Sequence, residues 1–359
     1  MKIGAVLFIF HTVYLNKQME INMKNITKVG LSALAGTLAF TSANAGDLSL
    51  SGSMITSYTK KGGYNTTGNP LGMSKALTVT ASGELDNGVS VAYKQTITDA
   101  MGYNDSELVF TGVPMAGDGT LAMTSAGDPL SAIDDVTPIA FEEASAAVGS
   151  LKDVNGVDGT YGIRYTLADV GGSGMTLDAM WVPKHGEGDV AAEKGTSGNV
   201  NHDATDGHSI VVKGSVPGIE GLDIGLGYAM LGHNSTVVTN IDQHEGTAYV
   251  TYAYGGLKVG YQKGGVSEGV GTKNYENEYI GVSYAISDNL TVSYNEIESR
   301  QSTSTSLTAT DVEQNFDSIS LSYTSGGMTI GILDSEADNA SYTSGRNVSA
   351  RAVQMTVAF

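Results

Sequence analysis

The chain has no cysteine, only 6 prolines and a single tryptophan among 359 residues. Without cysteine there is no disulfide scaffold, no thiolate metal site and no thiol nucleophile. Charged residues are scarce at 16%, against roughly 25% in an average soluble domain. Cations are the scarcer kind: 19 Lys and Arg face 38 Asp and Glu, a formal net charge of −19. That balance argues against nucleic acid as a partner, because phosphate binding draws on clustered Lys and Arg. Beyond residue 45 no run of about 20 apolar residues exists to build a membrane-spanning helix. What the chain does have is glycine (47) and tyrosine (18, against 7 phenylalanines). With Ser and Thr abundant as well, this composition suits a large antiparallel β structure better than helices.

The N-terminal 45 residues read separately. From Met23 the chain runs through Lys24 and Lys28, then an apolar stretch from Val29 to Phe40, then Ala43-Asn44-Ala45. A basic region, an apolar region and a small-x-small site are the parts of a signal peptide, with cleavage after Ala45. Residues 23–45 are therefore expected to be a signal peptide and 46–359 the mature chain. Residues 1–22 have no role in that scheme and are read as an early start or a leader extension. The leader carries four of the 19 basic and one of the 38 acidic residues, which leaves 15 against 37 in the mature chain.

From Gly46 the sequence divides into short segments with period-2 alternation, the pattern of strands with one apolar face. Leu48, Leu50 and Met54 alternate with Ser49, Ser51 and Ser53; Ile224, Leu226, Tyr228 and Met230 alternate with Gly225, Gly227 and Ala229; Val353, Met355, Val357 and Phe359 close the chain in the same way. A soluble sandwich also alternates, so the connections decide. Tight ones fall at Asp86-Asn87-Gly88, Pro114 to Asp118, Asp169 to Gly174, Pro217 to Gly221, Gly255-Gly256, Ser287-Asp288-Asn289 and Gly326-Gly327. Their Asn-Gly, Gly-Gly and Asp-Asn pairs supply the positive φ angles of hairpins. Longer polar stretches at 60–73, 99–104, 126–158, 183–207, 234–243, 264–273, 299–313 and 337–347 fall between them. Strict segregation of short turns to one end and long loops to the other, over sixteen strands, predicts an all-β transmembrane antiparallel barrel. An eighteen-stranded barrel is the main rival, with a hairpin hidden in 183–207 or 299–313. Closure pairs every backbone group without an edge, so only the outward half of the residues has to be apolar. A barrel this wide holds water. Trp181 and the tyrosines 58, 161, 252, 254 and 275 are candidates for aromatic girdles. An outward residue such as Val292 or Leu226 is expected to resist replacement by Arg, and the adjacent Ser293 and Gly227 to tolerate polar change.

The leader, the first strand Gly46-Asp47-Leu48-Ser49-Leu50-Ser51-Gly52, the sixteen-strand rhythm, the long third loop and the terminal Phe359 together resemble the Gram-negative general diffusion porins. The resemblance spans residues 46–359. It implies an outer-membrane homotrimer with short periplasmic turns, a third loop folded inward as a constriction, and passive diffusion of small hydrophilic solutes. It also implies recognition of Phe359 by the barrel-insertion machinery.

On that resemblance the constriction falls to residues 126–158, which carry Asp128, Asp134, Asp135, Glu142 and Glu143, with Lys152 and Asp153 toward the end. Phe141 to Ala147 is expected to form a short helical turn. Parity places Lys94, Arg164 and Lys213 on the polar, lumenal face as opposing cations, with Asp178 as an acid there. Only four arginines exist, at 164, 300, 346 and 351, so an extended arginine ladder is not available and a strong transverse field is in doubt. Arg351 shares the parity of Phe359 and is expected to point outward. The acidic balance predicts a cation-preferring pore. His185, His202 and His208 lie among acids in the fourth loop, but their irregular spacing gives no metal motif. No cofactor is expected. A substrate-selective channel is the nearest alternative; a barrel enzyme or a secreted adhesive β protein is further off, since no Ser, His and Asp set has recognisable spacing.

Overall fold

The computed structural model describes residues 46–98, 103–113, 119–157, 161–185, 204–233, 242–269, 273–303 and 311–359. Its strands are β1 (Leu48–Gly63), β2 (Leu71–Glu84), β3 (Ser90–Ile97), β4 (Tyr103–Thr111), β5 (Thr120–Thr124), β6 (Gly162–Leu167), β7 (Met175–Val182) and β8 (Ala204–Ser215) in the first half. The second half holds β9 (Leu222–His233), β10 (Gln243–Tyr254), β11 (Leu257–Ser267), β12 (Lys273–Ser287), β13 (Leu290–Thr303), β14 (Val312–Ser325), β15 (Met328–Asp338) and β16 (Val348–Ala358). Each strand pairs with its sequence neighbour, and β1 pairs antiparallel with β16, so the sheet is a closed sixteen-stranded barrel. Both ends of the described chain lie at the short-turn end. There Gly52 and Phe359 exchange both backbone hydrogen bonds, at 2.8 and 3.0 Å. A side chain at residue 52 has no room, because its Cβ would stand 2.7 Å from the Phe359 ring.

The alternation read from the sequence is the in–out alternation of the wall. Outward aliphatics stand open on the isolated barrel, with Leu50 58%, Leu226 65% and Ile319 65% exposed. Apolar surface of this extent calls for lipid or a protein neighbour. Six of the seven expected tight turns are present; Pro114 to Asp118 lies outside the described residues. Gly255 and Gly326 open two of these hairpins at φ 57° and 60°, where glycine carries no steric cost.

The strands at the other end are longer than the polarity of the sequence suggests. Lys60 to Gly63, read as loop, belong to the β1–β16 ladder and Leu71 to Met73 to the β1–β2 ladder, and 264–267 and 299–303 belong to β11 and β13. Pairing continues past the apolar band, where polar side chains on both faces are compatible with it. Among the girdle candidates Tyr58, Trp181, Tyr252 and Tyr254 point outward. Tyr275 does not: it is an inward residue of β12, buried against Tyr342 of the β15–β16 loop at a ring separation of 5.3 Å. Its parity with Tyr279 and Gly281, both inward, is the reason.

Candidate functional site

Between the short strands β5 and β6 the chain leaves the wall, and residues 126–157 run inside the barrel. Their apolar side chains explain where they lie. Leu130, Ile133 and Val154 pack on Val211, Ala229, Val266 and Tyr275; Ala144 and Val148 pack on Tyr279, Ile297, Phe316 and Ala350; Val157 packs on Met180 and Val182. The loop therefore lines the inner face from β7 round to β16. Inward glycines make room for it. A Cβ at Gly227 would stand 2.4 Å from Leu130, one at Gly260 2.4 Å from Pro138, and one at Gly331 2.2 Å from Phe141. These are sites of close approach at which any side chain would push the loop off the wall.

An irregular loop has no ladder to satisfy its backbone, so the wall must do it. Four amide side chains serve that purpose, one on each of β11 to β14, all fully buried: Gln262, Asn277, Asn295 and Gln314. Gln262 accepts from the Val136 N–H at 2.9 Å and donates to the Ile133 and Asp134 carbonyls. Asn277 donates to the Lys152 carbonyl, Asn295 accepts from the Ala144 N–H, and Gln314 donates to the Ser150 carbonyl. An amide both donates and accepts, which suits it to a loop that presents both groups. The sequence displayed this signal as an inward Gln or Asn in four successive strands. Ser293 belongs to the same set, accepting from the Ala140 N–H at 2.8 Å. The expectation that Ser293 and Gly227 tolerate polar change does not hold, because both lie beneath the loop.

The two ends of the loop are tied by carboxylates. Asp128, 1% exposed, accepts from the Leu130 and Val157 N–H groups and from the Ser209 hydroxyl. Glu245 of β10 accepts from the Asn155 and Gly156 N–H groups at 2.6 and 2.7 Å. Asp128 is thus a structural anchor, and its place in the expected constriction set is corrected accordingly. Burial pushes its carboxyl upward against three hydrogen bonds that stabilise the anion.

The other acids gather. Asp134, Asp135, Glu143 and Asp153 line one cavity of about 490 Å³ together with Ser145, Ser150 and Leu151. Glu142 is adjacent and partly exposed. The helical turn expected at Phe141 to Ala147 is displaced to residues 143–149, with Ala146 N–H bonded to the Glu143 carbonyl and Gly149 N–H to the Ser145 carbonyl. The nearest loop cation, Lys152, turns away to Glu268 at 4.0 Å. Four carboxyls in one enclosure do not all ionise at neutral pH. Burial, with repulsion from Asp135, Asp153 and Asp134, raises Glu143 to about 8. Burial raises Asp153 to about 7 despite a hydrogen bond from the Tyr279 hydroxyl. Asp134, Asp135 and Glu142 are also raised, each chiefly by burial. Asp153 enters this group on the structure; its proximity to Asp134 and Asp135 across the loop is invisible in the sequence.

The wall that the loop does not cover carries hydroxyls. Inward positions on β1 are Ser49, Ser51, Ser53, Ile55, Ser57, Thr59 and, toward the loop end, Lys61; on β2 they include Ser74, Ala76, Thr78 and Thr80; none of these is buried. The three expected cations are on the lumenal face, but they do not form an opposing bank. Arg164 is held by Asp178 on the neighbouring strand through two hydrogen bonds, Nε to Oδ1 at 2.9 Å and Nη2 to Oδ2. Lys94 stands directly across the β3–β4 ladder from Glu107. Lys213 lies near the short-turn end, two residues from the β8 terminus. Beneath the loop, a cavity of about 670 Å³ opens toward the short turns, lined by Asp135, Asp223, Lys258 and Asp288 among hydroxyl residues.

Arg351 points outward as expected and pairs with Asp334 at 2.9 Å. His185 is buried, its Nε2 2.8 Å from the Gly232 carbonyl, and His208 lies opposite Trp181 in the β7–β8 ladder; His202 lies outside the described residues. Among the described residues no group of three or more His, Asp or Glu side chains is arranged to hold a metal ion.

A family model for Gram-negative porins matches residues 30–330. Solved structures share the fold at low identity. OmpF of Salmonella typhi, solved with daunomycin, is 10% identical with a TM-score of 0.60, over 88% of this chain and 98% of that one. An anion-selective porin from Comamonas acidovorans is 14% identical with a TM-score of 0.60, over 87% and 99%. OmpT of Vibrio cholerae in its trimer form is 13% identical with a TM-score of 0.59, over 88% and 100%. No curated protein matches the chain.

Proposed function

Because this chain belongs to the Gram-negative porins, a family of the outer membrane, we propose that it forms a water-filled channel there for passive diffusion of small hydrophilic solutes and ions, with a preference for cations. One observation carries the reading of preference: the loop inside the lumen gathers Asp134, Asp135, Glu143 and Asp153 around one cavity, with Glu142 beside it, while the lumenal Arg164 is already neutralised by Asp178. Fields inside a low-dielectric wall are focused on the permeation path. Acids on outer loops matter less, being screened within about 8 Å at physiological ionic strength. In this reading Asp134, Asp135, Glu142 and Glu143 act on permeating ions, and Lys94 and Lys213 moderate them.

The same reading takes residues 23–45 as a signal peptide, Phe359 as a signal to the insertion machinery, and the assembly as a homotrimer. Support for a protein neighbour comes from β1 and β2. There Tyr58, Leu71 and Met73, at 50, 68 and 67% exposure, extend the apolar outer face almost to the strand ends.

The test is the reversal potential of the purified channel across a planar bilayer in a KCl gradient at pH 8.5. Cation selectivity is expected. Asp134→Asn, Asp135→Asn, Glu142→Gln and Glu143→Gln together should shift the potential toward anions, most visibly at low salt. An anion-selective wild type, or a quadruple variant with unchanged selectivity, would remove the loop from the permeation path.

A further inference from the structure

Glycine weakens a strand, and where it is kept something often approaches the backbone closely. For the inward Gly227, Gly260 and Gly331 that neighbour is the third loop with its cup of carboxyls. One outward pair has no such neighbour. Gly246 of β10 and Gly265 of β11 are direct partners on the outer face. Among the described residues, a Cβ at Gly246 would meet only the Gly227 carbonyl oxygen, at 3.5 Å, and one at Gly265 only the Tyr275 carbonyl oxygen, at 3.0 Å. Over the pair lies an open groove of about 430 Å³ in the outer wall.

The two sides of the groove differ in chemistry. On β9 and β10, the Tyr228 hydroxyl and His244 Nδ1 share a hydrogen bond at 2.7 Å, with the two ring planes 24° apart. Together the rings make one nearly flat aromatic panel. On β12 and β13 stand Asn274, Glu276 and Arg300. The charges there are already matched: Glu276 pairs with Lys263, and Arg300 with Glu313 at 3.0 Å. Ser267 donates to Asn274 Oδ1 at 2.8 Å, which leaves the Asn274 N–H groups to donate.

Four residues along the strands toward the short turns, the outward row is Ile224, Val250, Tyr261 and Ile280, within the apolar band. Four residues of strand span about 13 Å, so the groove stands at the level of lipid headgroups. Between the two rows β10 presents Ala248, whose small side chain continues the floor down to Val250.

An acyl chain by itself would leave the polar side unmatched. A phosphate would reach Lys263 or Arg300 only by displacing the carboxylates that hold them. A hydroxylated ring suits both sides: its C–H face lies on the aromatic panel, and its hydroxyls, which donate and accept, match a carboxylate, a guanidinium and an amide together. Such a ring carried on a lipid reaches the apolar band over Ala248. We propose that this groove binds the sugar headgroup of a membrane glycolipid, with the ring on Tyr228 and His244 over the two glycines and the acyl chain descending along β10. This requires the barrel to stand in a bilayer, but not that its pore prefer cations.

Native mass spectrometry of the purified protein in detergent tests it, with equimolar glucosyl diacylglycerol, phosphatidylglycerol and phosphatidylcholine of the same acyl chains. The glucosyl adduct should exceed each phospholipid adduct about fivefold, the scale of one modest hydrogen bond. Gly246→Val fills the floor, and Tyr228→Leu removes half of the panel. Each should bring the three adducts to parity, with single-channel conductance in a planar bilayer unchanged as the check on folding. Methyl glucoside in large excess should displace none of the glucosyl adduct; full displacement would show a site for free sugar and overturn the lipid assignment. Equal adducts in the wild type, or a glucosyl excess that survives both substitutions, would overturn the groove as the site. A wild type without conductance would remove the channel reading and leave this one standing.

Discussion

Glu143 concentrates the electrostatics of the lumen in one side chain. Its carboxyl is raised to about 8 by burial and by three neighbouring acids, and Asp153 to about 7. The groups that face them are Asp134 and Asp135 of the same loop and Tyr279 of β12, all acidic or neutral. As pH rises through about 7 to 8, protons leave the cup and its negative charge grows. Cation selectivity should accordingly increase from pH 6 to pH 9, read as a reversal potential at each pH, and Glu143→Gln should flatten the upper part of that rise. Stability runs the other way. A carboxyl raised in the folded state contributes stability that is fully present below its unfolded pKa and lost as pH rises through the folded value. The midpoint of thermal unfolding should thus fall toward pH 9, and less steeply in Glu143→Gln. A flat selectivity profile over this interval would mean that the cup does not face the permeation path.

At the scale of elements, the third loop and the strands beneath it form one unit. Phe141 occupies the space over Gly331, where an added Cβ would meet the ring at 2.2 Å. Gly331→Val should lift that part of the loop into the lumen, lower single-channel conductance and cost about 1–3 kcal/mol of stability by overpacking. Gly68→Ala, with nothing near its Cβ and outside the left-handed region, is the matched control: conductance should stay unchanged. Much of this unit was legible beforehand. The length of residues 126–158, its acids and, though displaced, its single helical turn could be read from the sequence because they are local. Its seat could not, since that depends on side chains of β7 to β16 meeting the loop through space. Even so, Gln262, Asn277, Asn295 and Gln314 stood at inward parity in four successive strands, where hydroxyls or glycine were the rule, and they mark the track of the loop. The strand ends at Gly63 and Leu71 were illegible for another reason: above the apolar band, alternation carries no information on pairing.

On the whole molecule the outer surface is uneven. From β12 to β15 three or four apolar outward residues rise from each turn, such as Leu290, Val292 and Tyr294, and then carboxylates begin: Glu278, Glu296, Asp317 and Asp334. On β9 the apolar outward run, from Leu222 to Met230, extends to five positions. Leu226 is near the middle of it, so Leu226→Arg should destabilise the folded barrel by about 2–4 kcal/mol, measured by urea titration in lipid vesicles. Glu298→Arg, at the upper border, should cost less than about 1 kcal/mol. Equal effects would show that the band has been drawn at the wrong height.

The seat of the third loop has a consequence for the order in which the molecule can be made. The loop precedes β6 in the chain, yet its partners lie on strands that come later: the Gln314–Ser150 bond spans 164 residues and the Ser341–Ser150 contact 191. When the loop leaves the translocation apparatus, nothing exists for it to rest on. Its apolar residues Leu130, Ile133 and Val148 remain without neighbours until the C-terminal half has been laid down and β16 has closed on β1. Contacts of such separation are formed slowly, since long segments must be brought together before any reward is gained. The seat of the third loop is therefore among the last features to take shape, and a barrel stalled before closure would be an open sheet with that loop still unseated.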